Sequence, residues 1–270
     1  MMTKKFTEAD TQSYYDNSDD RYRISWHPDG SKHWGYFDNL DEVHTYEDFL
    51  RGCDRWNEYM LEHSGISAQS RVLEVGCGNG KAAVWIAQQK GCEVVGIDLS
   101  ATHIRNCEIK AKDNPSLNLS FEKASILDLP FPDESFTHAW SQGTLLHIEE
   151  RGLALKEISR VLKPQGRFVF DDLTTPTMDI SESTRKHLYE RLLVNNLFTP
   201  ESYRDNLSAA GFKVLEATDL SQHMQKSYAI QSDRIREQYP ELSVSYGKSA
   251  GAVEAGELGW YFFKSEKVGN

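Results

Sequence analysis

The segment Glu74-Val75-Gly76-Cys77-Gly78-Asn79-Gly80 sets three glycines at alternate positions directly behind an apolar run. Glycine takes positive φ without steric cost and lets the backbone approach a ligand closely. A helix following such a turn offers unpaired N–H groups at its N-terminus. Asp98 closes the next apolar run, where a carboxylate can accept hydrogen bonds from both hydroxyls of a ribose. The spacing is G-x-G-x-G; nicotinamide-binding turns read G-x-G-x-x-G, and Ala83 does not supply the missing glycine. Glu74, Gly76, Cys77, Gly78, Gly80 and Asp98 are therefore candidate binding residues for a nucleoside-bearing cofactor, with apolar Leu99 placed to pack on its base.

A second set of residues could act on a substrate. His147 ends the string Trp140-Ser141-Gln142-Gly143-Thr144-Leu145-Leu146-His147 and reads as a general base, an acceptor-orienting group or a hydrogen-bonded loop support. Tyr14, Tyr15 and Tyr36, with His33 and Trp34 between them, form an aromatic N-terminal segment. Aromatic faces attract a cationic ligand, and the same side chains can instead staple a polar arm to a domain. Asp171 and Asp172 end a later apolar run. With no matching downstream ligand pair they read as a solvated strand end, so no metal is expected.

The elements positioning these residues alternate. Residues 71–75, 93–98, 119–123, 136–141, 167–171, 213–217 and 259–264 read as strands. Residues 43–61, 81–90, 101–112, 154–162, 181–197 and 222–239 have helical spacing. A further helix starts at Thr199-Pro200-Glu201, with a side-chain cap and proline in its first turn, and ends at Gly211. Residues 240–257 show no clear pattern, and residues 1–42 are polar with no helical period. The expected fold is α/β: a Rossmann-like, seven-stranded, mostly parallel sheet with helices on both faces. An N-terminal arm (1–42) and an insertion around 175–200 are expected to cap the domain formed by 43–270.

The glycine turn with Glu74 before it and Asp98 after it resembles the first two motifs of class I S-adenosylmethionine-dependent methyltransferases. Ala124-Ser125-Ile126-Leu127-Asp128-Leu129-Pro130-Phe131 is similar to the family's adenine-side motif, and Leu162-Lys163-Pro164-Gln165-Gly166-Arg167 to its turn into the fifth strand. The resemblance implies S-adenosylmethionine as cofactor, with Ser125 and Ile126 near the adenine, and Ser141, Gln142 and Tyr36 near its reactive end. The family often carries Asp where Ser125 stands; a serine accepts the adenine amino hydrogen without charge assistance. The string SQGTLLHI resembles sarcosine/dimethylglycine and phosphoethanolamine methyltransferases, with Gly143 replacing an Asp. The segment Tyr14-Tyr15-Asp16 and His33-Trp34-Gly35-Tyr36-Phe37 resembles the entry region of those enzymes, and of tocopherol and cyclopropane-forming lipid methyltransferases. This implies that the arm folds over the cofactor and that Tyr14 or Tyr15, with His147, meets the acceptor. The implied reaction is methylation of a small amine such as sarcosine or dimethylglycine. Its rivals are O- or C-methylation of a prenylated ring, polyketide or other natural product, a cofactor-bound cyclase or binding protein, and a dehydrogenase.

Composition bounds the partners. The 270 residues carry a formal net charge of −11 and no Lys/Arg cluster, which disfavours nucleic acid substrates. No apolar run approaches the roughly 20 residues needed to span a bilayer, so stable membrane insertion is not expected. Residues 1–20 are polar without a signal-peptide core, and Cys53, Cys77, Cys92 and Cys107 lack metal-ligand spacing. A cytoplasmic enzyme with reduced thiols and a small-molecule acceptor is the expectation, and a homo-oligomer is compatible with it.

Overall fold

The computed structural model describes residues 5–269; residues 1–4 of the expected arm and residue 270 lie outside them. Seven strands make one sheet in the order β3-β2-β1-β4-β5-β7-β6. β1 (Arg71–Val75), β2 (Glu93–Asp98), β3 (Leu119–Lys123), β4 (Phe136–Gln142) and β5 (Leu162–Thr174) pair in parallel. β7 (Gly259–Lys267) lies antiparallel between β5 and β6 (Phe212–Asp219). The strand order reverses between β1 and β4, and in such sheets ligands bind in the crevice beyond the strand ends at that point.

Period-two alternation sends each strand's side chains to two apolar clusters. Val72 of β1 and Val169 of β5 enter one; Leu73, Val75, Phe168 and Phe170 enter the other. The first cluster is closed by α3 (Tyr46–Ser64), α4 (Lys81–Lys90), α9 (Ser221–Arg234) and α10 (Pro240–Glu254). The second is closed by α6 (Arg151–Val161) and α8 (Pro200–Ala209). Between β2 and β3 lies α5 (Ala101–Asp113). Helix starts follow local chemistry. Thr45 and Asp48 form a capping box at α3, and Thr199 caps α8 ahead of Pro200.

Several elements differ from their sequence reading. Residues 8–25 form two helices, α1 (Glu8–Asp16) and α2 (Asp19–Ser25), where no helical period is visible. A capping box of Thr7 and Asp10 starts α1, and only Thr11 within it is buried, so an apolar stripe never appears. Trp26, Trp34 and Phe37 join the same cluster as Phe49, Tyr228 and Trp260, so residues 26–37 belong to the core. The helix expected from residue 43 starts at Tyr46, after its capping threonine; Val43 stays exposed. The helix expected over 181–197 is broken. A short turn, α7 (Glu182–Thr184), runs into a π turn over Arg185–Glu190, and Leu193 at φ 55° ends it, with Val194 N–H bonded to Tyr189 C=O. Residues left unassigned at 240–257 supply α10, whose Ser- and Gly-rich sequence hides the helical period.

Candidate active site

The glycine turn is shaped by contacts that only glycine permits. Gly76, Gly78 and Gly80 have φ of 70°, 51° and 73°. A Cβ on Gly76 would stand 2.2 Å from Thr144 Oγ1, whereas one on Gly78 would meet nothing within 4 Å. Gly76 is thus a packing requirement, and Gly78 leaves the backbone open to the cavity beside it. Gly80 begins α4 and packs on Cys107 and Phe121, off the cavity. Gly76 and Cys77 N–H groups both donate to Ile97 C=O at 2.9 Å, which pins the turn to the end of β2.

Asp98 is bound into the same unit. Its Oδ2 accepts from Gly78 N–H at 2.9 Å, and its Oδ1 from Ser100 N–H at 2.8 Å, with His103 Nδ1 at 3.2 Å. Of about four acceptor positions on a carboxylate, three are occupied. Accepting both hydroxyls of a ribose therefore requires some of these bonds to be exchanged. The other nitrogen of His103 lies 3.0 Å from Lys32 Nζ, a neighbour that the sequence did not suggest.

The cavity at this crevice has a volume of about 190 Å³. Of the expected site residues, Tyr15, Glu74, Gly76, Cys77, Gly78, Asp98, Leu99, Ile126, Gln142 and His147 line it. Besides His147 Nδ1, two buried polar atoms in its wall have no hydrogen-bond partner: Trp34 Nε1, a donor, and Glu74 Oε2, an acceptor. Burial pushes the Glu74 carboxyl up to about 8. An α-amino acid group supplies what both atoms lack, a carboxylate for the indole and an ammonium for the carboxyl. With the open backbone at Gly78, these atoms fit S-adenosylmethionine.

Five expected residues do not line the cavity. Tyr14 turns aside, its hydroxyl 2.8 Å from that of Tyr22 and accepting from Arg21. Tyr36 stacks on His223 at 4.3 Å and on Tyr59 at 5.2 Å, because the 26–37 segment is buried in the core with this ring outside the cavity. Ser141 is fully buried and donates to Val75 C=O, bracing β4 against β1. Ser125 donates to Glu8 Oε1 at 2.7 Å and accepts from Leu127 N–H, so its hydroxyl serves the arm. Gly80 is the fifth, withdrawn into the start of α4.

His147 sits in a 3-10 turn, residues 145–147, after β4. Its Nε2 is 2.8 Å from Tyr15 Oη, a pairing across 132 residues. Burial, helped by the Arg151 charge, pushes His147 down to about 4, so the imidazole is neutral at physiological pH. Burial also raises the Tyr15 phenol well above its ordinary value. The wall around the pair is aromatic: Tyr22, Trp26, Trp34, Tyr228 and Tyr246.

Asp171 and Asp172 are fully buried, which corrects their reading as a solvated strand end. Asp171 accepts from the indoles of Trp56 at 2.8 Å and Trp260 at 3.0 Å, and from Gly143 N–H at 3.1 Å. Asp172 accepts from Leu146 N–H at 3.0 Å and from the Tyr203 hydroxyl. Burial pushes Asp171 up to about 7 and Asp172 up to about 6. Arg151, also buried, donates to the carbonyls of Leu145 and Leu146. The end of β5 and the start of α6 thus hold the 143–147 loop through buried polar contacts. No charge pattern in the sequence distinguishes such anchors from surface acids, since burial comes from Trp56, Tyr203 and Trp260 on distant elements.

The arm is fastened at three successive strand ends. Asp29 Oδ2 is 2.6 Å from Lys81 Nζ, at the first residue of α4. Asp16 Oδ1 accepts from Ser100 Oγ at 2.5 Å and from Thr102 N–H at 3.2 Å, at the start of α5. Glu8 holds Ser125 after β3.

Residues 73–170 match the family model described as a methyltransferase domain. The chain is 29% identical over 257 residues to the glycine/sarcosine/dimethylglycine N-methyltransferase of Actinopolyspora halophila, covering 92% of this chain but only 44% of that protein's length. It is 31% identical over 192 residues to the O-methyltransferase rstn1 of Aspergillus nomiae, covering 71% of this chain and 84% of the relative. The fold is also that of a crystal structure described as a putative sarcosine dimethylglycine methyltransferase from Galdieria sulphuraria, with TM-score 0.80, 21% identity, and 93% and 98% of the two chains covered. The chain belongs to the class I S-adenosylmethionine-dependent methyltransferases. It is a methyltransferase that acts on a small molecule, and S-adenosylmethionine is its cofactor. Among the described residues, no helix is long and apolar enough to cross a membrane.

Proposed function

We propose that the acceptor is a small amine, such as sarcosine or dimethylglycine, methylated on nitrogen. The observation carrying this reading is the neutral His147, hydrogen-bonded to Tyr15 inside an aromatic-walled cavity. S-adenosylmethionine supplies an electrophilic methyl, and an amine attacks it only in its unprotonated form. The amine enters already unprotonated and is oriented by the uncharged Tyr15–His147 pair, while the rings of Tyr22, Trp26, Tyr228 and Tyr246 favour the cationic product. Glu74 and Trp34 hold the amino acid end of the cofactor, while Gly78, Asp98, Leu99 and Ile126 hold its nucleoside. Residues 8–25, ahead of the core segment 26–37, act as the lid over it, fastened through Glu8 and Asp16.

Transfer of labelled methyl groups to a panel of secondary and tertiary amines and of phenols tests this reading. Label should enter sarcosine or dimethylglycine, and transfer to phenols alone would sink the amine assignment. The second reading is O- or C-methylation of a larger apolar molecule. It is favoured by Leu146, Ile148 and Leu192 in the wall, and by the O-methyltransferase among the relatives.

A further inference from the structure

The cations along the cavity are not equivalent. Lys81 is paired with Asp29 at 2.6 Å and Asp54 at 3.1 Å. Arg191, which follows the π turn, lines the cavity without any carboxylate at ion-pair distance among the described residues. Its Nε donates to His187 C=O at 2.8 Å, and its Nη2 lies 3.3 Å from Tyr228 Oη and 3.2 Å from Ser249 Oγ. Nη1 has no hydrogen-bond partner among the described residues. The guanidinium carbon stands 5.6 Å and 5.0 Å from the ring centroids of Tyr228 and Tyr246. Phenols therefore surround a cation that has two N–H groups left over.

Desolvating a charge costs several kcal/mol unless a counter-charge meets it. Arg191 is half-buried in the cavity wall, and no carboxylate of the described residues meets it. We propose that Arg191 is the anion-binding residue of the acceptor site and receives a carboxylate of the methyl acceptor. This rests on the small-amine reading and narrows it to amino acids. One guanidinium balances one carboxylate, and the other cations of the wall are engaged, Lys32 by His103 and Lys81 by Asp29 and Asp54. Arg191 and the Tyr15–His147 pair line the same cavity, so a short amino acid held by its carboxylate at Arg191 keeps its nitrogen within the cavity that the pair lines.

The test combines calorimetry and kinetics on the full chain. Acetate, and separately inorganic phosphate, is titrated into the S-adenosylhomocysteine complexes of the wild type, Arg191→Gln and Arg191→Lys. Acetate should bind the wild type, and Arg191→Gln should weaken that binding about 10- to 100-fold, the range of a charge-assisted hydrogen bond. Arg191→Lys should recover part of it. KM for dimethylglycine should rise by a similar factor, while KM for N,N-dimethylethanolamine and the affinity for S-adenosylmethionine stay within about twofold. Equal acetate binding by wild type and Arg191→Gln overturns the proposal, as does phosphate binding tighter than acetate. If Arg191→Gln does not fold, acetate inhibition of the wild type decides: competition against the acceptor but not against the cofactor supports the site, and any other pattern overturns it. The two proposals fail separately. Arg191-dependent acetate binding with no amine methylated leaves the anion site standing without the amine reading; methylation of dimethylglycine with unchanged KM in Arg191→Gln does the reverse.

Discussion

The two ends of the cavity are built from different materials. At the cofactor end, the turn from β1 into α4, Asp98 and the start of α5 make a nearly local unit. Main-chain groups of Gly76, Cys77, Gly78 and Ser100 carry most of its contacts. At the acceptor end, side chains from the arm, the 143–147 loop, the segment after the π turn, α9 and α10 meet across long stretches of chain. Backbone recognition needs a dihedral pattern, which a few glycines announce. Side-chain recognition needs tertiary packing, and no local pattern announces that.

Substitutions separate the two ends. The largest effect is expected from Gly76→Ala, whose Cβ would sit 2.2 Å from Thr144 Oγ1 at φ 70°. It should cost about 3 kcal/mol of stability by thermal denaturation and abolish cofactor binding. Gly78→Ala sharpens the contrast, because its Cβ meets nothing within 4 Å. There the strain is only about 1–2 kcal/mol, and calorimetry should show cofactor affinity falling well beyond that stability loss. If Gly78→Ala binds normally, the turn is packing alone.

Next in size is Asp171→Ala, which strands the indoles of Trp56 and Trp260 and the Gly143 N–H. Leaving buried donors unpaired should cost about 3 kcal/mol in chemical denaturation, and the 143–147 loop should lose its order with kcat falling as well. His147→Gln should lower kcat about 100-fold with cofactor affinity unchanged, and Tyr15→Phe about 10-fold, in steady-state kinetics. A comparable loss of cofactor binding in either variant would show that the two ends are one unit.

Stability against pH gives a smaller and opposed pair of effects. Burial holds His33, His138, His147 and His223 at about 4, below the ordinary 6.5. Between those values the unfolded chain binds more protons, so stability rises with pH and is lost on acidification. Burial holds Glu74 at about 8, Asp171 at about 7 and Asp172 at about 6, above ordinary values of 4.5, 3.8 and 3.8. There the folded chain holds more protons, so stability falls as pH rises. Melting of the cofactor-free protein across this range should show a maximum between the two limbs. Glu74→Gln should flatten the alkaline limb and steepen the acid limb above about pH 4.5, because the opposing contribution of Glu74 runs from 4.5 to about 8. The smallest effect is expected at the arm: Glu8→Gln weakens one contact, to Ser125, and should raise the dissociation constant of the cofactor only a few-fold in calorimetry.

Most strands and the helices between them were legible, because each is bounded by Gly, Pro or a capping residue and keeps a clear period. Helices α1 and α2 were hidden by polar sequence, and α10 by its small residues. The helix expected through 197 ends early because Leu193 takes a left-handed conformation that no glycine marks. Asp171 and Asp172 were read as exposed for want of any local sign that Trp56, Tyr203 and Trp260 enclose them.

The sequence by itself determined the cofactor turn, the succession of strands along the chain and the presence of an acid after β2, since each depends on residues close together in the chain. Which aromatic residues face the cavity was decided by tertiary packing: Tyr15 meets His147 across 132 positions, while Tyr14 and Tyr36 turn away. Packing likewise left Trp34 Nε1 and Glu74 Oε2 without partners and enclosed Arg191 among phenols. Local dihedral preference can be read from a few neighbouring residues. Burial and the pairing of charges depend on the whole chain closing around them.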